Sequence, residues 1–423
     1  MQNLKCIIKN FIVNFTIKLE QISKNSKILF IAYKFYLKML SLISVYPYKV
    51  INHHMYAKKH TNSSMHIIQE NRIGFTSNSV FGHETPDYSL IPVEMPDLYY
   101  VKHENVKIHG NSDFIINKDE NVVINDFAYQ MSEKFDNKDG ILLKQKGDLL
   151  LLRFNDKIID KFIDSGIMIS GKFSSNYYHV IYEILIKLLL INKTDIPDNV
   201  PIIVDSIIYK VNSFKRIFET LCPSNRQVIL IDRHEAYKFK TIYWLSSINT
   251  IPPHIKNLYQ IDVKDIAFDL AYINILREKL IFLNSNKIFP KKIFLKRKKN
   301  SRRNFNEDEI VEFLKKYEFA ALAPESYTFG DQIAMFNNAD FIIGGSGAAM
   351  SNLLFCNRGC KIICIKSRRT NYPLFTTIAY SQGLEMKYCI GSPLKSSKIN
   401  DIHASFRLNT NDLEETIKSF YVD

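Results

Sequence analysis

Residues 292–365 read KIFLKRKKNSRRNFNEDEIVEFLKKYEFAALAPESYTFGDQIAMFNNADFIIGGSGAAMSNLLFCNRGCKIICI. Short apolar runs (IFLK, FAAL, DFIIG, KIICI) alternate with longer stretches of helical period, the pattern of a parallel βαβ sheet. Asn306 is a good N-cap candidate. Glu307, Asp308 and Glu309 fill a first turn where the helix dipole favours acids, and Ile310, Val311, Phe313 and Leu314 form the buried stripe. The run Phe341 to Ile343 then enters Gly344-Gly345-Ser346-Gly347-Ala348-Ala349, where glycine lets the backbone approach a ligand closely. A helix beginning near Ala348 points its unpaired N–H groups above that loop, where a Rossmann-like domain binds an anion, usually a nucleotide phosphate.

Working outward, 423 residues exceed one ordinary core, and two similar domains with an extension are expected. The 46% hydrophobic and 23% charged composition is globular, which excludes disorder as the main state. A net charge of +13 favours anionic partners. Nucleic acid is discounted because the aromatics follow core periods and form no exposed basic-aromatic platform. The six cysteines lack a secreted framework, so a reducing compartment is expected. Cys356, Cys360 and Cys364 read as buried thiols, and no essential metal ligand is predicted.

Residues 1–50 carry eight lysines against one acid, Glu20, with Phe11, Phe15, Leu19, Leu29, Phe30, Tyr33 and Leu37 at helical spacing. No uncharged run is long enough to span a bilayer, and no signal-peptide cleavage site follows a short apolar core. The segment reads either as a basic amphipathic helix on an anionic bilayer or as a helix that caps the domain. Residues 53–99 read as an irregular linker, and Asn105 to Leu152 as antiparallel hairpins. Beyond them lie a loop and strongly apolar helix (Gly171–Ile191), strands at 201–208, 228–231 and 242–245, helices at 213–221 and 268–283, and a final helix at 411–420 with Asn411 and Glu414 at capping-box spacing. The expected organisation is an extension over 1–60, a domain over 61–255 and a domain over 256–423. The fold class is α/β, with two Rossmann-like domains facing across a cleft.

His179 and Glu183 fall on one helix face at i, i+4, so the carboxylate can orient an imidazole acting as general base. The alternative is a histidine that caps the helix beneath its tyrosines. Among the basic residues at 296–303, Arg297 and Arg303 are the candidates for clamping phosphates through paired hydrogen bonds. Lys298 and Lys299 read as solvated. Gln332 and Asn352 either contact a sugar or base, or bridge backbone.

Taken in order, Asn176-Tyr177-Tyr178-His179 with Glu183, Leu276-Arg277-Glu278, Leu295-Lys296-Arg297 with Arg303, Asn306-Glu307, Gln332 and Ile343-Gly344-Gly345-Ser346-Gly347-Ala348-Ala349-Met350-Ser351-Asn352 resemble glycosyltransferase family 61, in its bacterial capsular-polysaccharide branch. The likeness spans roughly Gly171 to Gly391. It departs at Ser346 and Val180, where the family often has histidine and tryptophan. The resemblance implies a GT-B fold, a nucleotide-sugar donor held by the C-terminal domain, transfer with inversion and no required metal or other cofactor. It makes His179 the base with Glu183 assisting, or Glu183 itself the base. It puts Arg297, Arg303, Asn306, Glu307, Gln332, Gly344, Gly345, Ser346, Gly347, Ala348 and Asn352 at the donor, and Asn176 and Tyr178 on the acceptor side. The implied acceptor is a glycan or lipid-linked glycan of capsule or lipopolysaccharide, at the inner face of the cytoplasmic membrane, with peripheral contact through residues 1–50. A catalytically silent binder of nucleotide-sugar or glycan is the alternative. A nicotinamide oxidoreductase is disfavoured, because the dinucleotide fingerprint and its ribose-binding acid are missing.

Overall fold

The computed structural model describes the chain apart from residues 1–10, 13, 17, 20–26, 43–44, 78–88, 111, 118, 120, 127–138, 154–160, 234, 253–261, 298–303, 368–372, 395–404 and 422–423. Two large sheets organise it. The first has eleven strands, built from β1 (Val45–Ile51), β2 (Ser63–Gln69), β5 (Leu98–His109), β6 (Ile115–Asn117), β7 (Val122–Ile124), β8 (Leu142–Lys146), β9 (Leu149–Arg153), β10 (Lys161–Ile169), β11 (Ile202–Asp205), β12 (Val228–Ile231) and β13 (Ala236–Leu245). Between β2 and β5 lies a separate hairpin of β3 (Arg72–Ser77) and β4 (Leu90–Met95).

The order β12-β11-β10-β13 is wholly parallel, and β5 then joins β13 antiparallel and begins the meander to β6 and β7. The first sheet is therefore Rossmann-like over four strands only. Its parallel part is covered on both faces, which is why Ile202, Ile203 and Val204 form one continuous buried run. Two expectations need correction. Residues 53–99 are not an irregular linker: they hold the helix His53–Lys59, capped by the Asn52 side chain, and then β2, β3, β4 and the start of β5. Strand β2 is half-exposed at the sheet margin and carries Ser, His and Gln, so its composition hides it. Residues 45–51, assigned to a helical extension, form β1 inside the sheet, parallel to β7 and antiparallel to β9.

The second sheet contains β14 (Lys292–Leu295), β15 (Ala320–Leu322), β16 (Phe341–Gly345), β17 (Lys361–Ser367), β18 (Glu385–Pro393) and β19 (Phe406–Arg407), in the order β15-β14-β16-β17-β18-β19. All pairs but the last are parallel, as the alternation in 292–365 predicts. Helices on its faces include α1 (Glu307–Leu314), α2 (Phe329–Asn338), α3 (Leu374–Ser381) and α4 (Thr410–Lys418). The α4 cap is Asn409, two residues before the expected Asn411. Asn306 does stand at the N-cap position of α1, but its side chain does not cap. Its Oδ1 accepts from the Leu408 N–H at 2.9 Å, and its Nδ2 donates to the Leu408 carbonyl at 3.0 Å. That two-way bond pins the C-terminal segment to α1.

The helix Leu270–Ile281 joins the two halves. One apolar cluster runs from Ile167 and Val204 of the first sheet through Tyr182, Phe268 and Leu276 to Ile342, Met350 and Leu354 beside the second. A buried ion pair reinforces the junction. Arg72 of β3 donates to the Pro96 carbonyl (2.8 Å), the Ile248 carbonyl (2.6 Å) and Asp269 Oδ2 (2.8 Å). Asp269 also caps the Leu270–Ile281 helix. The same hairpin reaches the second half, where the Ser77 N–H donates to Thr377 Oγ1 of α3 at 2.9 Å.

Candidate functional site

The apolar run at 177–191 is not one regular helix. It is an α turn (Tyr177–His179), a π turn (Val180–Ile184), a 3₁₀ turn (Leu185–Lys187) and an α turn (Leu188–Ile191). Tyr182 is pinned at both ends: its hydroxyl donates to the Ser351 carbonyl (2.7 Å), and its own carbonyl accepts from Asn249 Nδ2 (2.8 Å). The Asn249 side-chain oxygen accepts from the Asp269 N–H at 3.0 Å, so the π turn is wired to the Arg72 junction. Single π turns recur at functional sites because the inserted residue re-aims side chains.

His179 Nδ1 lies 2.6 Å from Glu183 Oε1. The imidazole rests on the Phe173 ring at 4.3 Å between centroids and meets Tyr178 edge-on. With the carboxylate accepting from Nδ1–H, the lone pair is left on Nε2, which makes no hydrogen bond with a described residue. Asn176 is spent on capping, its side chain accepting from the Tyr178 N–H at 3.1 Å. The Tyr178 hydroxyl is buried without a partner among the described residues, and burial raises its pKa well above the ordinary value.

Across from this segment, β16 ends in the glycine loop, and residues Ala348–Phe355 form a 3₁₀-helix. A Cβ on Gly345 would come within 3.1 Å of the Phe305 ring, and one on Gly347 within 3.6 Å of the Arg297 guanidinium carbon. Arg297 thus lies in van der Waals contact with the loop. Its guanidinium is half-buried and makes no hydrogen bond or ion pair with a described residue, and burial lowers its pKa. The Arg297 N–H donates to the Glu307 carboxylate (3.1 Å), and burial raises the pKa of Glu307. Gly344 packs under Leu295 and Met350, and the Ser346 N–H donates to the Ile365 carbonyl at 2.7 Å. Ala348 opens the 3₁₀-helix with Gly347 as its cap. Lys366, next after Ile365 on β17, was missed by sequence reasoning. Its ammonium stands 3.6 Å from the Tyr388 ring centroid, and burial pushes its pKa down to about 8. A lysine directly after the apolar run IICI was the available signal.

Gln332 and Asn352 do meet each other. Asn352 Nδ2 donates to Gln332 Oε1 at 3.1 Å, Gln332 Nε2 donates to the Tyr327 carbonyl at 3.2 Å, and the Tyr177 hydroxyl donates to Asn352. Asn352 is fully buried, so this chain ties the two halves of the site together. Asn306 is engaged with Leu408, as described. Arg303, Arg302, Lys298 and Lys299 lie outside the described residues. No group of three or more metal-ligating side chains occurs among the described residues.

Beside Glu183 opens a cavity of about 520 Å³, within the roughly 300–1,000 Å³ range of small-molecule sites. It sits at the carboxyl ends of β10 and β13, the usual ligand edge of parallel strands. Its wall includes Tyr99, Asp126, Ser170, Glu183, Lys187 and Trp244. Lys187 donates to the Leu245 carbonyl at 3.0 Å and stands 4.8 Å from the Trp244 centroid, and burial lowers its pKa. The His53 ring stacks on Trp244 at 4.2 Å. Sequence reasoning missed this cavity, although a lysine inside ILIKLLLI and the single tryptophan were visible flags.

Residues 177–363 match the Glycosyltransferase 61 family model. Over that span the chain is similar to glycosyltransferase family 61. The matched glycosyltransferase stretch begins at the π-turn segment, runs through Arg297 and the glycine loop, and ends in β17. It is narrower at both ends than the likeness read from the motifs. No curated protein matches the chain.

Proposed function

We propose that the protein is an inverting glycosyltransferase that moves a sugar from a nucleotide-sugar to a hydroxyl of a cell-surface glycan. The observation that carries this reading is the half-buried Arg297 guanidinium, held against the glycine loop without a partner among the described residues, inside the stretch that matches the glycosyltransferase family model. A cation in that position stabilises the charge that grows on a departing nucleoside diphosphate. On the other side, His179 Nε2 takes the acceptor proton as the hydroxyl oxygen bonds to the anomeric carbon and the bond to the diphosphate breaks. Glu183 steadies the imidazolium through Nδ1–H. Attack opposite the leaving group inverts the anomeric centre.

A domain boundary near residue 255 belongs to this reading, with the donor on the C-terminal side. No helix among the described residues is long and apolar enough to cross a membrane. Phe11, Phe15, Ile31, Phe35 and Met39 nevertheless project into solvent from the N-terminal helical segment, in a stretch rich in lysine. This supports peripheral contact with an anionic bilayer, at the inner face where lipid-linked acceptors are presented.

The test is thermal stabilisation of the full chain by a panel of nucleoside diphosphates and nucleotide-sugars, with and without chelator. A ligand that binds only the folded state at 100 times its Kd adds about 2.7 kcal/mol. The expected result is a shift with one nucleotide class, insensitive to chelator and lost in Arg297→Ala. No shift with any of them refutes the donor site.

A further inference from the structure

The cavity beside Glu183 is not used by the donor site as described, and its chemistry differs from that site. Five of its wall residues are carboxylates and three are lysines, in a chain whose net charge is +13. A locally acidic, mixed-charge wall repels phosphate. Carboxylate acceptors and ammonium donors, together with the Ser247 hydroxyl, match the hydroxyl groups of a sugar ring. Two groups are left without protein partners. Asp97 at the surface makes no hydrogen bond or ion pair with a described residue, and the Ser170 hydroxyl is buried with no partner among the described residues. Burying a hydroxyl unbonded costs free energy, so a site that keeps one has a ligand to bond it. Glu183 joins the cavity to His179 through the 2.6 Å contact.

We infer that this cavity is the subsite for the acceptor's terminal sugar, and that it selects an uncharged, polyhydroxylated ring. The inference rests on the glycosyltransferase reading. Ser170 and Asp97 hold the ring by hydrogen bonds, and Lys187, fixed over Trp244, faces it as a donor. A neutral ring seated here presents its hydroxyl at the Glu183 end of the cavity, next to the base, while the diphosphate stays with Arg297.

The chain has one tryptophan, and it lies in the cavity wall, so tryptophan emission reports on this site. The full chain is titrated to about 50 mM, a range that captures roughly millimolar binding, with methyl glycosides of neutral hexoses and N-acetylhexosamines, with a hexuronic acid, with a nucleoside diphosphate and with nucleotide-sugars. The expected result is a saturable emission change with at least one neutral glycoside and a weaker or absent change with the hexuronic acid and the nucleoside diphosphate. Ser170→Ala should weaken that sugar about five- to tenfold, the worth of one hydrogen bond, while the melting temperature stays level or rises. A purely structural serine would lower it. Asp97→Asn should also weaken the sugar without altering the thermal shift given by nucleotide. If nucleotide-sugars change the emission and free glycosides do not, the cavity holds the donor's sugar and the inference is overturned. If nucleotides stabilise the chain but no sugar moves the emission, the inference fails and the donor site stands. If neither binds, both fail.

Discussion

Replacing Arg72 with leucine removes the cation from a pocket where the two side chains keep only 1% and 8% of their exposure. The Asp269 carboxylate is then buried with only its cap bond from the Tyr272 N–H, and two carbonyls lose their donors. Breaking a buried pair from one side costs about 3–5 kcal/mol, because the surviving charge is uncompensated. Carrying the size scaling of melting to 423 residues gives about 1–2 °C per kcal/mol, so Arg72→Leu should melt about 3–10 °C lower. The double variant Arg72→Leu/Asp269→Asn keeps the helix cap and buries no charge. It should lose only about 2–3 kcal/mol, from the unpaired Pro96 and Ile248 carbonyls. The pair is therefore predicted to be non-additive by at least about 1.5 kcal/mol. Urea titrations of the four proteins in the double-mutant cycle, followed by Trp244 emission and by far-ultraviolet circular dichroism, measure this. Additive losses, or a single-variant loss below about 1 kcal/mol, would sink the claim that this ion pair holds the junction.

Three further outcomes are expected. Glu183→Gln should retain donor binding but cut transfer or donor hydrolysis by about 10²–10⁴, the usual worth of a positioned general base, and His179→Ala should do at least as much; wild-type turnover from either removes the dyad from the mechanism. Burial holds His53 and His103 below the ordinary imidazole value, so both are neutral in the fold while the unfolded chain binds protons below about pH 6.5. Stability should be flat above pH 7 and fall as the pH drops below 6.5, by up to about 1.4 kcal/mol per pH unit for each histidine. Asp139, pushed up to about 6 mainly by burial, works against that fall from pH 6 downward, and His103→Gln should reduce the slope; an unchanged slope in that variant refutes the assignment. Finally, Ile31→Glu/Phe35→Glu should abolish flotation with anionic vesicles and leave melting within about 1 kcal/mol, and undiminished flotation refutes membrane contact through that face.

Strands β14 to β17 of the second sheet were legible because each is built on a short apolar run, and because Glu307 to Glu309 mark a helix start; β18, EMKYCIGSP, mixes charged and apolar residues and gave no such run. The His179–Glu183 pair was legible for the same kind of reason: i, i+4 spacing survives even the switch to a π turn. The cap at Asn306 was misjudged because a side chain with helical geometry nearby can still be drawn off by a distant backbone, here Leu408. Strand β2 was hidden because a half-exposed strand with Ser and His at alternate positions lacks apolar contrast. The cavity could not have been assembled from spacing at all. Ser170, Lys187 and Trp244 come from three separate elements, and only the sheet order brings them together.

Strand β1 carries one more consequence, for the order in which the chain is made. Lys49 pairs with Val122 on one side and with Leu149 on the other, so both neighbours are synthesised long after it. The nearer one follows 73 residues later, about 4–15 s at the usual ribosomal pace of roughly 5–20 residues per second. For that interval a mostly apolar strand waits with both edges open, the state most prone to pairing with another nascent chain. Pro47 and Lys49 sit in the middle of it, one lacking an N–H and the other carrying a charge, and both discourage intermolecular strand addition. Replacing either with valine should leave the finished sheet in place while lowering the yield of soluble protein during synthesis.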